Sequence, residues 1–190
     1  IDKITIYDFD GNLVNRPIKT SKLKVGQADL GDYDYFMQKE IFEQPQAIRD
    51  TLESRITKDR VVISAFGYNA KEIFQKIRQV QIVACGTSYH AGLVAKYWLE
   101  DIAKIPCNVE VASEYRYRHP ILLNGTLLVT LSQSGETADT VEALKTAKNL
   151  NSSINSLCIS NSSESSLTRL SDLNFLTHAG PEIGVASTKA

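Results

Sequence analysis

From Ala70 onward the chain alternates short, nearly continuous apolar runs with longer amphipathic segments, and few folds accept that rhythm. The runs 80–85, 108–112, 127–131, 154–159 and 173–176 read as strands. Between them, a segment capped by Asn69 and running to about Arg78, 88–103, a short segment capped by Ser113, 137–150 and 165–170 read as helices. Strands that are apolar throughout, rather than at alternate positions, are covered on both faces, which is the mark of a parallel sheet with helices above and below. The fold predicted is α/β: a flavodoxin-like, doubly wound, five-stranded parallel sheet. Helix 88–103 is expected to bury the stripe Ala91, Val94, Ala95, Trp98, Leu99 and Ile102. Helix 137–150 is expected to bury Ala138, Val141, Leu144 and Ala147.

The first third follows a different pattern. Ile4-Thr-Ile-Tyr alternates like a strand, turns at Asp10-Gly11 and continues through Leu13-Val14, which predicts a short hairpin. Residues 16–34, with Pro17, Gly26 and Gly31, read as a linker. Phe36, Met37, Ile41 and Phe42, then Ile48, Leu52 and Ile56, form a helical stripe broken by Pro45, which predicts two helices end to end with Pro45 in the first turn of the second. The chain opens on Ile1 rather than Met and closes on what reads as the start of a helix, so a piece of a longer protein is expected.

With 21 basic and 22 acidic residues and a net charge of -1, the chain gives nucleic-acid binding no electrostatic support. No apolar run approaches the roughly 20 residues of a membrane helix, and the opening residues show no signal-peptide pattern. Cys85, Cys107 and Cys158 lack CxxC spacing and are expected to be reduced thiols in a cytosolic protein. A nucleophilic Cys85 has no evident histidine partner, and His90, His119 and His178 lack metal-ligand spacing, so no metal is predicted.

Chemistry concentrates in two strand-to-helix turns. Ser132-Gln-Ser-Gly-Glu-Thr137 sits directly behind an apolar strand, where the first helical turn leaves amides unpaired and carries partial positive charge. Ser132, Ser134 and Thr137 add hydroxyl donors, and Gly135 lets a ligand approach the backbone. One hydroxyl suffices to cap a helix; three with a glycine exceed that need. Gly86-Thr87-Ser88 repeats the arrangement after strand 80–85. In a parallel sheet both turns lie at the carboxyl edge, where open α/β sheets bind ligands, and together they predict a phosphate site free of lysine and arginine.

Other signals compete less well. Asp8-Phe-Asp-Gly is similar to the first motif of the haloacid dehalogenase-like phosphatases, but Asp-Gly is also a common hairpin turn. A dinucleotide site wants GxGxxG, which Gly86-Thr-Ser-Tyr-His-Ala91 lacks, and no aromatic residue in loop 132–137 would sandwich a flavin. Glu136, Asp139 and Glu182 are the nearest carboxylates, as general bases or simply as partners of the helix dipole.

Cys85-Gly-Thr-Ser-Tyr-His-Ala-Gly92, Ser132-Gln-Ser-Gly-Glu-Thr-Ala-Asp139, Glu182-Ile-Gly-Val-Ala-Ser-Thr-Lys-Ala190 and Tyr35-Phe-Met-Gln-Lys-Glu-Ile-Phe-Glu-Gln-Pro45 together resemble the glutamine:fructose-6-phosphate amidotransferase family, the glucosamine-6-phosphate synthases. The resemblance implies that residues 1–15 end a glutaminase domain, 16–68 form a linker and N-terminal helices, and 69–190 are a first sugar isomerase (SIS) domain truncated at its C-terminus. It implies fructose 6-phosphate and glucosamine 6-phosphate as ligands, with Ser88, Ser132, Gln133, Ser134 and Thr137 on the phosphate, Thr87 close by, and Val185 and Ser187 lining the sugar. It further implies no cofactor, a cytoplasmic homodimer, and catalytic residues outside this chain, so that the chain binds but does not turn over. An apolar face left bare by a missing second SIS domain is also expected. The alternatives are a non-catalytic SIS sugar-phosphate sensor, although residues 1–60 show no basic recognition helix, and the Mg²⁺-dependent phosphatase.

Overall fold

The computed structural model describes residues 4–17 and 29–190. Five strands, β1 (Gln79–Ala84), β2 (Cys107–Val111), β3 (Thr126–Ser132), β4 (Asn155–Ser160) and β5 (Leu173–Leu176), form one sheet in the order β2-β1-β3-β4-β5. All neighbours are parallel. The flavodoxin-like prediction therefore holds. The helices are α1 (Phe36–Leu52), α2 (Ala70–Lys76), α3 (Gly86–Asp101), α4 (Ala112–Tyr115), α5 (Ala138–Leu150) and α6 (Ser166–Leu170), with a short 3₁₀ turn at Ile63–Phe66. Among the described residues no helix is long and apolar enough to cross a membrane.

Alternation along the strands divides the interior into two cores. Val83, Leu128 and Cys158 face one side and pack with Tyr115 of α4, Ala143, Leu144 and Ala147 of α5, and Leu167 of α6. Val80, Ile82, Leu127, Val129 and Leu157 face the other, against Ala70 and Ile73 of α2 and the half-buried Ala95 and Leu99 of α3. The sheet is thus covered on both faces, as its near-continuous apolar strands require.

Several local expectations are corrected. The face that α3 turns to the sheet is Gly92, Ala95 and Leu99; Ala91, Val94, Trp98 and Ile102 are exposed, Trp98 by 64%. Gly92 sets this rotation, because a β-carbon there would stand 3.1 Å from both Ile82 Cγ2 and Val109 Cγ1; a contact made through a missing side chain leaves no apolar mark. In α5 the buried residues are Thr140, Ala143, Leu144 and Ala147, while Ala138 is exposed. Helix α4 starts at Ala112 with Val111 at its N-cap, so Ser113 lies inside it rather than capping it. Helix α2 ends at Lys76 because the amides of Arg78 and Gln79 donate to Gly125 O (2.8 and 3.3 Å) and draw the chain into the sheet.

Pro45 does not divide two helices. α1 runs unbroken through it, anchored by buried residues on either side, Glu40 and Ala47. Tertiary contacts hold both halves on one axis despite the hydrogen bond that proline cannot donate. The N-terminal hairpin forms through the bridge Tyr7–Leu13, but its turn is wider than Asp10-Gly11. Asp8 Oδ1 accepts from Asp10 N (3.0 Å) and Asn12 N (2.8 Å), so this carboxylate closes its own turn. Of the linker expected at 16–34, residues 18–28 lie outside the described residues, as do 1–3 of the segment 1–15.

Candidate functional site

Chain order reverses between β1 and β3: β2 is added on one side of β1, while β3, β4 and β5 extend on the other. Such a reversal opens a crevice beyond the carboxyl ends of the two central strands. Ala84 of β1 is in register with Leu131 of β3, so Cys85 and Ser132 leave the sheet side by side. A cavity of about 390 Å³ opens there, lined by 85–88, 131–134, Thr137 and 185–187. All eight residues singled out in the sequence (Thr87, Ser88, Ser132, Gln133, Ser134, Thr137, Val185 and Ser187) come together on its walls. A larger hollow of about 500 Å³ at the C-terminal end of α1 is lined by 46, 48–50, 52–54 and 56, with no such convergence of hydroxyls.

Two helices start at this cavity. α3 begins after Cys85, which supplies no side-chain cap. α5 begins after Thr137, whose hydroxyl is turned away from the helix amides and lies 3.0 Å from Ser132 Oγ. Unpaired first-turn amides with the positive ends of two helix dipoles behind them are an anion site. None of the lining residues carries a positive charge, so any anion is held by dipoles and hydroxyls.

The loop after β3 is fixed by its own bonds. Ser132 Oγ accepts from Gly135 N (3.1 Å), and Ser134 Oγ accepts from Glu136 N (3.1 Å). Gln133 O accepts from Asn161 N (3.0 Å) and Ser160 Oγ (3.3 Å), tying the loop to the end of β4. Gly135 has φ +66° and its carbonyl accepts from Leu167 N (3.1 Å), which brings α6 against the loop.

Each nearby carboxylate is committed elsewhere. Glu136 accepts from Ser166 N (2.7 Å), and this bond to the start of α6 holds its carboxyl below the usual range. Asp139 pairs with Arg116 at 2.6 Å. Glu182 Oε1 accepts from the amides of Thr188 and Lys189 (2.8 Å each), and its Oε2 from Ser187 Oγ (2.9 Å). None of the three lines the cavity. Cys85 does; Cys107 and Cys158 are buried, and burial pushes both thiols up to about 11.

The sequence reading omits Leu131 and Ala186 from the cavity wall, and it omits Glu40 of α1, which accepts from the amides of Ile183 and Gly184 beside that wall. Nothing local in the sequence marks Glu40, since its apolar neighbours on α1, Met37 and Ile41, are themselves exposed.

The chain is similar to proteins already known. The chain is 57% identical over 189 residues to the glutamine–fructose-6-phosphate aminotransferase (isomerizing) of Pseudomonas putida, a match covering 100% of this chain and 31% of that protein. The enzyme of the same name from Pseudomonas aeruginosa is 54% identical, again over 31% of its length. The chain thus spans about a third of these relatives. Among solved structures, the C-terminal domain of the glucosamine-fructose-6-phosphate aminotransferase of Francisella tularensis superposes with TM-score 0.81 at 51% identity, over 85% of this chain and 45% of that one. A glucosamine-6-phosphate deaminase from Thermotoga maritima superposes with TM-score 0.59 at 25% identity, over 76% and 40%. Residues 73–190, more than half of the chain, match the SIS domain, and the chain belongs to that family.

Proposed function

We propose that this chain is the sugar-phosphate-binding part of a glutamine–fructose-6-phosphate aminotransferase, the enzyme that converts fructose 6-phosphate and glutamine to glucosamine 6-phosphate and glutamate. The observation that carries the proposal is the meeting of two uncapped helix N-termini and six hydroxyl side chains in one uncharged cavity. A phosphate dianion suits that environment, because first-turn amides and hydroxyls donate to its oxygens while the dipoles balance its charge. Ser88, Ser132, Gln133, Ser134 and Thr137 hold the phosphate, with Thr87 beside them. Val185 and Ser187, across the cavity, line the sugar.

Binding is this chain's share of the reaction. Moving a proton between neighbouring carbons of a ketose requires a base near neutral pH. The only ionisable side chain on the cavity wall is that of Cys85, and the adjacent carboxylates are engaged in holding loops. The chain therefore holds substrate while the proton-transfer groups and the glutamine-hydrolysing site lie elsewhere in the whole protein, a cytoplasmic homodimer on this reading. Residues 1–15 belong to its glutaminase domain and 69–190 to its first SIS domain. The similarity of the whole chain to aminotransferases favours this over a non-catalytic sensor.

Calorimetric titration tests the proposal, with fructose 6-phosphate, glucosamine 6-phosphate and unphosphorylated fructose run against wild type and Ser134→Ala. The two phosphorylated sugars should bind and fructose should not, with the substitution weakening binding about tenfold, the effect of one lost charged hydrogen bond. Binding of fructose at the strength of its phosphate would overturn it.

A further inference from the structure

The cavity wall formed by Val185–Ser187 belongs to no strand or helix, yet the residues on either side of it are held by hydrogen bonds. Part of the hold is internal, through Glu182 and the amides of Thr188 and Lys189. The rest comes from α1, which precedes the residues matched to the family. Glu40, only 3% exposed, accepts from Ile183 N (2.5 Å) and Gly184 N (2.9 Å) on Oε1 and from Thr188 Oγ1 (3.1 Å) on Oε2. One turn further on, Glu43 pairs with Lys189, whose side chain is 4% exposed. The fit is close, since a β-carbon on Gly184 would lie 2.5 Å from Glu40 Oε2 and 3.4 Å from Met37 Cα.

Burying a carboxylate is costly unless donors satisfy it, and an apolar residue would give α1 simpler packing. What a carboxylate adds is direction: two consecutive amides converge on one oxygen and a hydroxyl on the other, which fixes the segment's orientation as well as its proximity. Burial alone would raise the Glu40 pKa, but the bonds from Gly184, Ile183 and Thr188, with the charge of Lys189, outweigh it and hold the carboxyl below its usual range.

We infer that Glu40 is a positioning residue for the sugar-facing wall, through which α1 holds Val185–Ser187 opposite the phosphate loop. This rests on the sugar-phosphate reading of the cavity. Loop 132–137 makes no use of Glu40, so losing the carboxylate should affect the sugar and spare the phosphate.

The test uses the whole chain as wild type, Glu40→Ala and Glu40→Gln, titrated with fructose 6-phosphate and with inorganic phosphate. Glu40→Ala should weaken the sugar phosphate at least about tenfold and inorganic phosphate by less than about twofold, as expected for two freed amides at the sugar wall alone. Glu40→Gln retains an oxygen for both amides and should stay within about threefold of wild type for both ligands. Equal losses for the two ligands in Glu40→Ala, or no loss for either, would overturn the inference. If Glu40→Ala does not fold, Thr188→Val removes one of the three donors and should show the same selective loss in weaker form; an unselective loss there overturns it too. Amide hydrogen exchange over 182–190 without ligand decides separately. Faster exchange at Ile183 and Gly184 in Glu40→Ala but not Glu40→Gln supports the anchor even if no sugar phosphate binds the wild type, and unchanged exchange refutes it.

Discussion

Gly135 lies so close to Ser165 that a β-carbon at 135 would stand 2.0 Å from the Ser165 hydroxyl oxygen and 2.9 Å from that of Ser160. Ser165 is itself the N-cap of α6, accepting from Thr168 N at 3.3 Å. The loop after β3 is therefore built against the start of α6 and the end of β4, with no space for a side chain between them.

Gly135→Ala should consequently be strongly destabilising, since the left-handed φ of +66° adds strain to the clash. A loss of about 3 kcal/mol is expected, seen as a fall in Tm of roughly 6–12 °C for a chain of this size. Calorimetric melting checks it; a Tm within about 2 °C of wild type would mean the loop gives way easily.

Ser132 and Ser134 should separate stability from binding. Ser132 is buried and its hydroxyl serves both Gly135 N and Thr137, so Ser132→Ala should cost about 1–2 kcal/mol of stability as well as affinity. Ser134 is exposed, and its hydroxyl accepts only from Glu136 N on the protein, so Ser134→Ala should leave Tm nearly unchanged while weakening fructose 6-phosphate. Urea unfolding beside titration of each variant makes the comparison; the same pattern in both variants contradicts it.

The sheet was legible because burial on both faces leaves long apolar runs, and the cavity because strand-to-helix turns at a switch point must lie together. What escaped the sequence were contacts that a hydrophobic pattern does not register. Gly92 packs by having no side chain, so the stripe expected of α3 takes in the exposed Ala91, Val94, Trp98 and Ile102 beside Ala95 and Leu99, which do face the sheet. Pro45 was read by its local preference, which tertiary anchoring of α1 overrides. Glu40 carries no local sign of its role, because its partners lie more than 140 residues away.

Cys85 should be the one thiol that reacts in the folded chain. It is half-buried on the cavity wall, whereas Cys107 and Cys158 are buried with thiols pushed up to about 11. A thiolate is the reactive form, so a small alkylating reagent at pH 8 should give a single adduct by mass spectrometry. Saturating fructose 6-phosphate should slow that reaction several-fold by filling the cavity. Equal labelling of all three cysteines, or labelling of Cys85 indifferent to the sugar phosphate, would count against the site.

Asp172 should make stability fall in acid. Its Oδ2 accepts from Ser156 N (2.8 Å) and Ser156 Oγ (2.7 Å), and its Oδ1 from Lys148 (3.1 Å), which ties the start of β5 to β4 and to α5. Burial works against the charged form, but those partners prevail and hold the carboxyl below the usual carboxylate range. A group with a lowered folded pKa stabilises fully above its unfolded value and loses that contribution as pH drops through the folded one. Asp172→Asn should therefore lower the unfolding free energy from urea titration at pH 7 by about 1–2 kcal/mol, after allowing for the carboxylate's partial exposure. The gap between variant and wild type should then narrow steadily as the pH is taken below 4, where the wild-type carboxylate itself takes up a proton. A gap that stays constant down to the acid transition would show that the hydrogen-bonding shape of residue 172, and not its charge, joins the two strands.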